Sequence, residues 1–106
     1  MSKYLIQVSY TAQGAKGLLE AGGSARVTAA SEAVAQFGGK IEVFYFCFGP
    51  DDAALIVDVP DPAAMAAISL AVTASGAIRT RATVLLTPAQ IDAAAKMHAN
   101  FRAPGQ

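Results

Sequence analysis

Cysteine and histidine are nearly missing from this chain of 106 residues, in which Cys47 and His98 occur once each. A lone cysteine cannot form an intrachain disulfide, and one cysteine with one histidine cannot supply the four ligands of a zinc site. The counts exclude a disulfide scaffold and an all-His/Cys zinc centre within one chain. We expect no metal site and no cofactor.

The chain also lacks net charge, because eight lysines and arginines balance eight aspartates and glutamates. Proteins that bind a nucleic acid backbone normally carry a clustered positive field. We therefore expect no nucleic acid partner.

No apolar run is long enough for a membrane span. The most apolar stretch, residues 63–78, is interrupted by Ser69, Thr73 and Ser75, whereas a bilayer requires about 20 apolar residues. The stretch is typical of a buried helix. The first residues lead directly into a strand pattern without the apolar segment of a secretion signal, so we expect a cytoplasmic protein without a membrane partner.

Hydrophobic residues make up 54% of the chain, but 24 of them are alanine. The remaining large apolar side chains suffice for one core, and the length suits a single domain. We predict one domain over residues 1–101 and a flexible tail over residues 102–106.

Alternating patterns predict four strands, over residues 3–10, 41–48, 53–59 and 78–86. The turn signal Gly49-Pro50-Asp51-Asp52 joins the second and third strands as an antiparallel hairpin.

Three helices are predicted from capping residues and apolar spacing. Ser24 is the expected cap of the first, which ends at Gly38-Gly39; Asp61-Pro62 starts the second; and Thr87-Pro88 starts the third, which continues through His98. The glycines among residues 11–23 favour a loop with one helical turn near Lys16.

The order βαββαβ with an added C-terminal helix predicts an α+β, ferredoxin-like fold: one antiparallel sheet with two helices across one face. The expected alternation places Phe44, Phe46, Phe48 and Ile56 on the other face, with Asp58 opposite Arg79 or Arg81. So many exposed apolar side chains are unusual on a monomer. We therefore expect these four residues to form the interface of a homodimer or higher oligomer.

The same alternation turns Cys47 toward the helices as a packed, unreactive thiol.

Short motifs along nearly the whole chain resemble the GYD-domain family, small prokaryotic proteins similar in shape to the dimeric α/β-barrel group. The resemblance is carried by Tyr10-Thr11, Gly14, Lys16-Gly17, Ser24-Ala25-Arg26, Gly38-Gly39-Lys40, Phe48-Gly49, Asp52, Val59-Pro60-Asp61 and Leu86-Thr87-Pro88. It implies a ferredoxin-like, dimeric α/β-barrel-like chain of uncharacterised function. Asp51 stands where the family usually has the tyrosine of its name.

One polar cluster suggests a ligand site. A helix start near Ser24, flanked by Lys16 and Arg26, offers N–H donors and positive charge to a small anionic or carbonyl compound. Gln7 and Arg79 are secondary candidates. The alternative interpretation is that Ser24 only caps the helix and that Arg26 is solvated or pairs with Glu20 or Asp52.

Two classes of function remain open at this point. One is a homo-oligomeric module that binds a small anion or serves a structural role. The other is a cofactor-free enzyme of the dimeric α/β-barrel type, monooxygenase- or isomerase-like, for which no catalytic residue is identified. Haem ligation by His98 is a third, less favoured reading, since nothing else in the sequence supports it.

Overall fold

The computed structural model describes residues 2–105 as four strands and four helices. In chain order these are β1 (Ser2–Tyr10), α1 (Ala12–Ala21), α2 (Gly23–Ala35), β2 (Lys40–Phe46), β3 (Ala53–Val59), α3 (Pro62–Ala74), β4 (Ile78–Leu85) and α4 (Pro88–Ala95).

The strands form one antiparallel sheet in the order β2-β3-β1-β4. This is the ferredoxin-like arrangement that the order of strand and helix signals predicts. The core lies between the sheet and the helices and includes Ile6, Leu55, Val57, Val34 and Met65. The opposite sheet face carries no helix and is called the open face below.

A β-bulge in β2 decides which side chains reach the core. Ile41 lies opposite Val57, but Val43 lies opposite Ile56, so Glu42 is an extra residue in the strand. An inserted residue moves every following side chain to the other face.

The prediction that Phe44 and Phe46 lie on the open face is therefore wrong. Phe44 lies opposite Leu55 and Phe46 opposite Ala53, which puts both on the helix side, with their ring centroids 5.1 Å apart. Phe48 follows the end of β2 and is fully exposed. Ile56 does lie on the open face, where its neighbours from β2 are Val43 and Tyr45 rather than phenylalanines.

The segment expected to be mainly loop is helix α1. Thr11 caps it by accepting a hydrogen bond from the Gly14 backbone, and the Thr11 hydroxyl and N–H donate to the carbonyls of Gly76 and Ala77. A Cβ at Gly14 would lie 2.1 Å from the Ala77 carbonyl oxygen. The glycine that weakens the local helix signal is thus what lets α1 pack against the start of β4.

Helix α2 begins two residues earlier than expected, at Gly23. Its N-cap is Gly22, with φ of 83°, and no side chain caps it. Ser24 lies inside the first turn, where its carbonyl accepts a hydrogen bond from Thr28. The predicted capping role of Ser24 is wrong because the left-handed Gly22 already redirects the chain.

The start signals of the last two helices are confirmed. Asp61 caps α3 through the Ala64 N–H, and Thr87 with Gln90 forms a capping box on α4. Helix α4 ends at Ala95, so His98 lies beyond it. Every residue from Leu86 to Arg102 is exposed, and this C-terminal part does not cover the outer surface of α3.

Replacing Gly14 by alanine should destabilise the fold by about 1–3 kcal/mol, because the new methyl overlaps the Ala77 carbonyl. The matched control is Gly17→Ala in the same helix, where a Cβ meets nothing within 4 Å. That change should raise stability by up to about 1 kcal/mol through helix propensity. Chemical denaturation at equal protein concentration measures both, and equal effects of the two variants would contradict this packing.

Candidate functional site

Two cavities meet at Arg26 and Tyr10, on the helix side of the sheet. The inner cavity, of about 70 Å³, lies between the sheet, α2 and α3. The outer pocket, of about 320 Å³, lies between α1, α2 and the junction of β1 with β4. Arg26, Tyr10 and Ile78 line both.

The inner cavity is almost entirely apolar. Its walls include Phe44, Leu55, Met65, Ile68 and Val72, and its few polar side chains include Ser69 and Thr80. Phe44 reaches this wall because of the bulge in β2. The cavity suits a compact apolar group.

The outer pocket exists because its lining residues are small. They are Gly14, Gly17, Ala21, Ala25, Ala29 and Ala77, together with Gln13 and Leu18. Gly17 has open space where its Cβ would be. The pocket volume falls at the lower end of the range found for small-molecule sites.

Arg26 is the charged side chain of this site. It lies on α2, half-buried, and it forms no ion pair with any carboxylate of residues 2–105. Neither of the suggested partners, Glu20 and Asp52, forms an ion pair with it. A partly desolvated guanidinium without a counter-ion is unfavourable, and a bound anion would supply the missing partner.

Tyr10 places a phenol beside this guanidinium. Burial raises the pKa of Tyr10, while the positive charge of Arg26 lowers it and the carboxylate of Asp52 raises it again. Asp52 also accepts a 2.8 Å hydrogen bond from the Tyr10 backbone N–H, which fixes the end of β1. The phenol therefore stays protonated at neutral pH and can donate a hydrogen bond.

The other two residues of the expected anion cluster lie apart from the cavities. Lys16 and Ser24 are both exposed, and neither lines the inner cavity or the outer pocket. On α1 the pocket-facing positions are Gln13, Gly14, Gly17 and Leu18 instead. Sequence reasoning identified Arg26 but missed Tyr10 and the small residues around it.

Gln7 and Arg79 lie across the sheet from Arg26. Gln7 is half-buried on the open face and donates to the Asp51 carboxylate at 3.2 Å, while Arg79 is exposed there. Asp51 also forms an ion pair with Arg81 at 2.8 Å. The aspartate that replaces the tyrosine of the family pattern thus holds two open-face side chains.

Three further expectations about polar residues are wrong. Asp58 pairs with Lys3, at 3.5 Å, rather than with Arg79 or Arg81, because β3 lies between β1 and β2 and not beside β4. Cys47 is exposed and its thiol donates to the Asp51 carbonyl, since the bulge reverses its expected side. His98 is exposed outside any helix.

Within residues 2–105, no cluster of three or more His, Cys, Asp or Glu side chains is arranged to hold a metal ion. No helix in this range has both the length and the apolar composition needed to span a bilayer.

The fold and the cavity describe an α+β, ferredoxin-like protein with an apolar pocket under its helices. The chain belongs to the GYD domain family, whose sequence signature matches residues 4–95. Comparison with curated proteins and with solved structures finds no significant match.

The phenol of Tyr10 should titrate above its ordinary value of 10.0. Because its pKa is higher in the folded than in the unfolded chain, the folded state keeps the proton longer, and stability should fall as pH rises above about 10. The difference in phenolate absorbance between the wild type and Tyr10→Phe isolates this group.

The same titration tests the neighbours of Tyr10. Removing the positive charge with Arg26→Met should raise the pKa of Tyr10 further, and Asp52→Asn should lower it. A Tyr10 titration that neither change moves would contradict the described site.

Proposed function

We propose that this GYD-domain protein binds a small organic anion with an apolar body, and that it works as a homo-oligomer. The observation that carries the binding proposal is Arg26, an unpaired and half-buried guanidinium at the junction of two cavities. The proposed ligand is still an anion, as expected from the sequence. The proposed site is centred on the Arg26–Tyr10 pair instead of the start of α2.

The chemistry of the walls defines the ligand class. A carboxylate would accept hydrogen bonds from the Arg26 guanidinium and the Tyr10 phenol, and the bond to the guanidinium would be strengthened by charge. The small side chains of the outer pocket leave room for an apolar body, and the inner cavity has room for a compact substituent. Inorganic phosphate would satisfy the charge but would leave the apolar walls unfilled.

A cofactor-free enzyme of the dimeric α/β-barrel type is the other class. The titratable side chains lining the two cavities are Arg26 and Tyr10, a permanent cation and a protonated phenol. These groups suit holding an anion better than accepting a proton from a substrate. The walls therefore favour binding over proton-transfer catalysis.

Phenylacetate is a suitable probe, with phenylacetamide as its uncharged counterpart and inorganic phosphate as an anion without an apolar body. Calorimetry should show binding of phenylacetate with much weaker binding of the other two. Arg26→Met should weaken phenylacetate binding by about tenfold to a hundredfold, the usual range for a hydrogen bond to a charged group.

Two variants separate this site from its alternatives. Gly17→Leu should abolish binding by filling the outer pocket, since its Cβ meets no neighbour within 4 Å, whereas Gly17→Ala should retain most of it. Arg79→Met, on the open face, should bind like the wild type. Equal loss in Arg26→Met and Arg79→Met, or unchanged affinity in Gly17→Leu, would reject the site.

The open face supports the second half of the proposal. Tyr45 is 71% exposed and Val43 40% exposed, beside half-buried Leu5 and Ile56. A twofold axis would pair this patch with its copy, as expected for an isologous dimer. The sheet interface proposed here thus retains Ile56 and replaces the phenylalanines by Val43 and Tyr45.

Tyr45→Asp should break this interface because it places a charge in the centre of the apolar patch. Light scattering should then show half the mass of the wild type. The matched control is Leu19→Asp, at an 86% exposed position of α1, which should leave the mass unchanged. A wild type of 10.8 kDa in solution would contradict self-association altogether.

A further inference from the structure

The C-terminal segment from Leu86 to Gly105, called the arm here, carries large apolar side chains that its own chain does not cover. Ile91 is 51% exposed, Met97 77% and Phe101 84%. Helix α4 contributes no buried residue, although Thr87 and Gln90 form a capping box at its start. A helix of eight residues is marginal without packing, so these signals indicate a helix that forms against another surface.

The molecule is more extended, and exposes more surface, than a compact monomer of the same length. Its radius of gyration is 16.9 Å, whereas a compact chain of this length has about 13 Å. Its accessible surface is 7261 Å², roughly 1,700 Å² more than expected for a compact monomer of this mass. One partner buries about 800 Å² in an interface of standard size. The excess is therefore large enough for more than one such contact.

We propose that the arm of one chain packs against the outer surface of α3 in a second copy, and that two copies exchange arms in this way. The inference goes beyond the proposed ligand site. It shares with the proposed function only the premise of self-association, and it uses a different surface from the open face.

The outer surface of α3 is the least polar helix surface of the domain. No charged residue occurs between Asp61 and Arg79, whereas a solvated helix normally has a charged outer side. Leu70 is 72% exposed at its centre, and Ala63, Ala66 and Ala74 are exposed around it. The open face, in contrast, carries the ion pairs of Lys3 with Asp58 and of Arg81 with Asp51.

Chain topology brings the arm and this surface together at one edge. Strand β4 is an edge strand, α3 packs beside it, and the arm leaves from its end. Val84, 54% exposed, and Leu86, 55% exposed, extend the apolar surface to the start of the arm. A twofold axis beside the β4 edge would therefore lay each arm along the other chain's α3. The alanines on both helices permit close approach of the two backbones.

A second copy is the occupant that accounts for both surfaces at once. Each chain presents exposed apolar side chains on its arm and on the outer surface of α3, and reciprocal exchange covers both sets in each of the two copies. The closed twofold arrangement also ends the association at a defined size.

The test uses full-length variants at exposed positions. Ile91→Asp combined with Phe101→Asp disables the arm, and Leu70→Asp disables the surface of α3, with Leu70→Gln as a milder change should the charged variant fail to fold. Leu19→Asp is the matched control at an exposed leucine outside both surfaces. Light scattering, at a concentration where the wild type is associated, gives the mass of each.

The arm variant and the Leu70 variant should each have half the wild-type mass, whether or not the open face also forms an interface. Mixing the two should return the mass toward that of the wild type, because the intact arm of one can bind the intact α3 of the other. Unchanged mass in either variant overturns the proposal, and so does halved mass without recovery on mixing, which would place the arm on its own chain. Tyr45→Asp tests the open face separately, and phenylacetate binding tests the ligand site.

Discussion

The bulge at Glu42 is the constraint on which the rest of the structure depends. By adding one residue to β2, it turns Phe44 and Phe46 toward the helices and leaves Val43 and Tyr45 on the open face. Phe44 then lines the inner cavity on the helix side. The open face becomes a smaller patch between ion pairs. The aromatic side of the inner cavity and the apolar patch on the open face both follow from this reversal.

Small residues on α1 and α2 form much of the lining of the outer pocket. Gly14 allows α1 to rest on the Ala77 carbonyl, and Gly17 leaves a space that any side chain would reduce. Arg26 extends from α2 into this region without an ion-pair partner, beside a phenol whose pKa is raised by burial. The small side chains on the helices leave the space of the outer pocket, and Arg26 and Tyr10 supply its titratable groups.

Local signals were sufficient for most of the fold. The structure contains the predicted hairpin turn, the predicted caps at Asp61 and Thr87, and the predicted alternation in β1, β3 and β4. Each of these features depends on a few neighbouring residues, so the local sequence is enough to predict it. The bulge was not predictable because Ile41 to Phe48 alternates equally well without it. Helix α1 was missed because its glycines lower local helix propensity, and only the distant Ala77 explains Gly14. Arg26 could be proposed from its place near a helix start, but its partner Tyr10 becomes visible only when β1 and α2 are packed together.

The central claim is that the Arg26 guanidinium, which forms no ion pair within residues 2–105, binds the anionic group of a ligand in an otherwise apolar site. Nuclear magnetic resonance of the arginine Nε–Hε groups tests it most directly, because the chain has only four arginines, Arg26, Arg79, Arg81 and Arg102. Addition of phenylacetate should shift and sharpen the Arg26 signal alone, as its guanidinium becomes held by the carboxylate and its exchange with water slows. Shifts of equal size at Arg79 or Arg81, or no response at Arg26, would contradict the account.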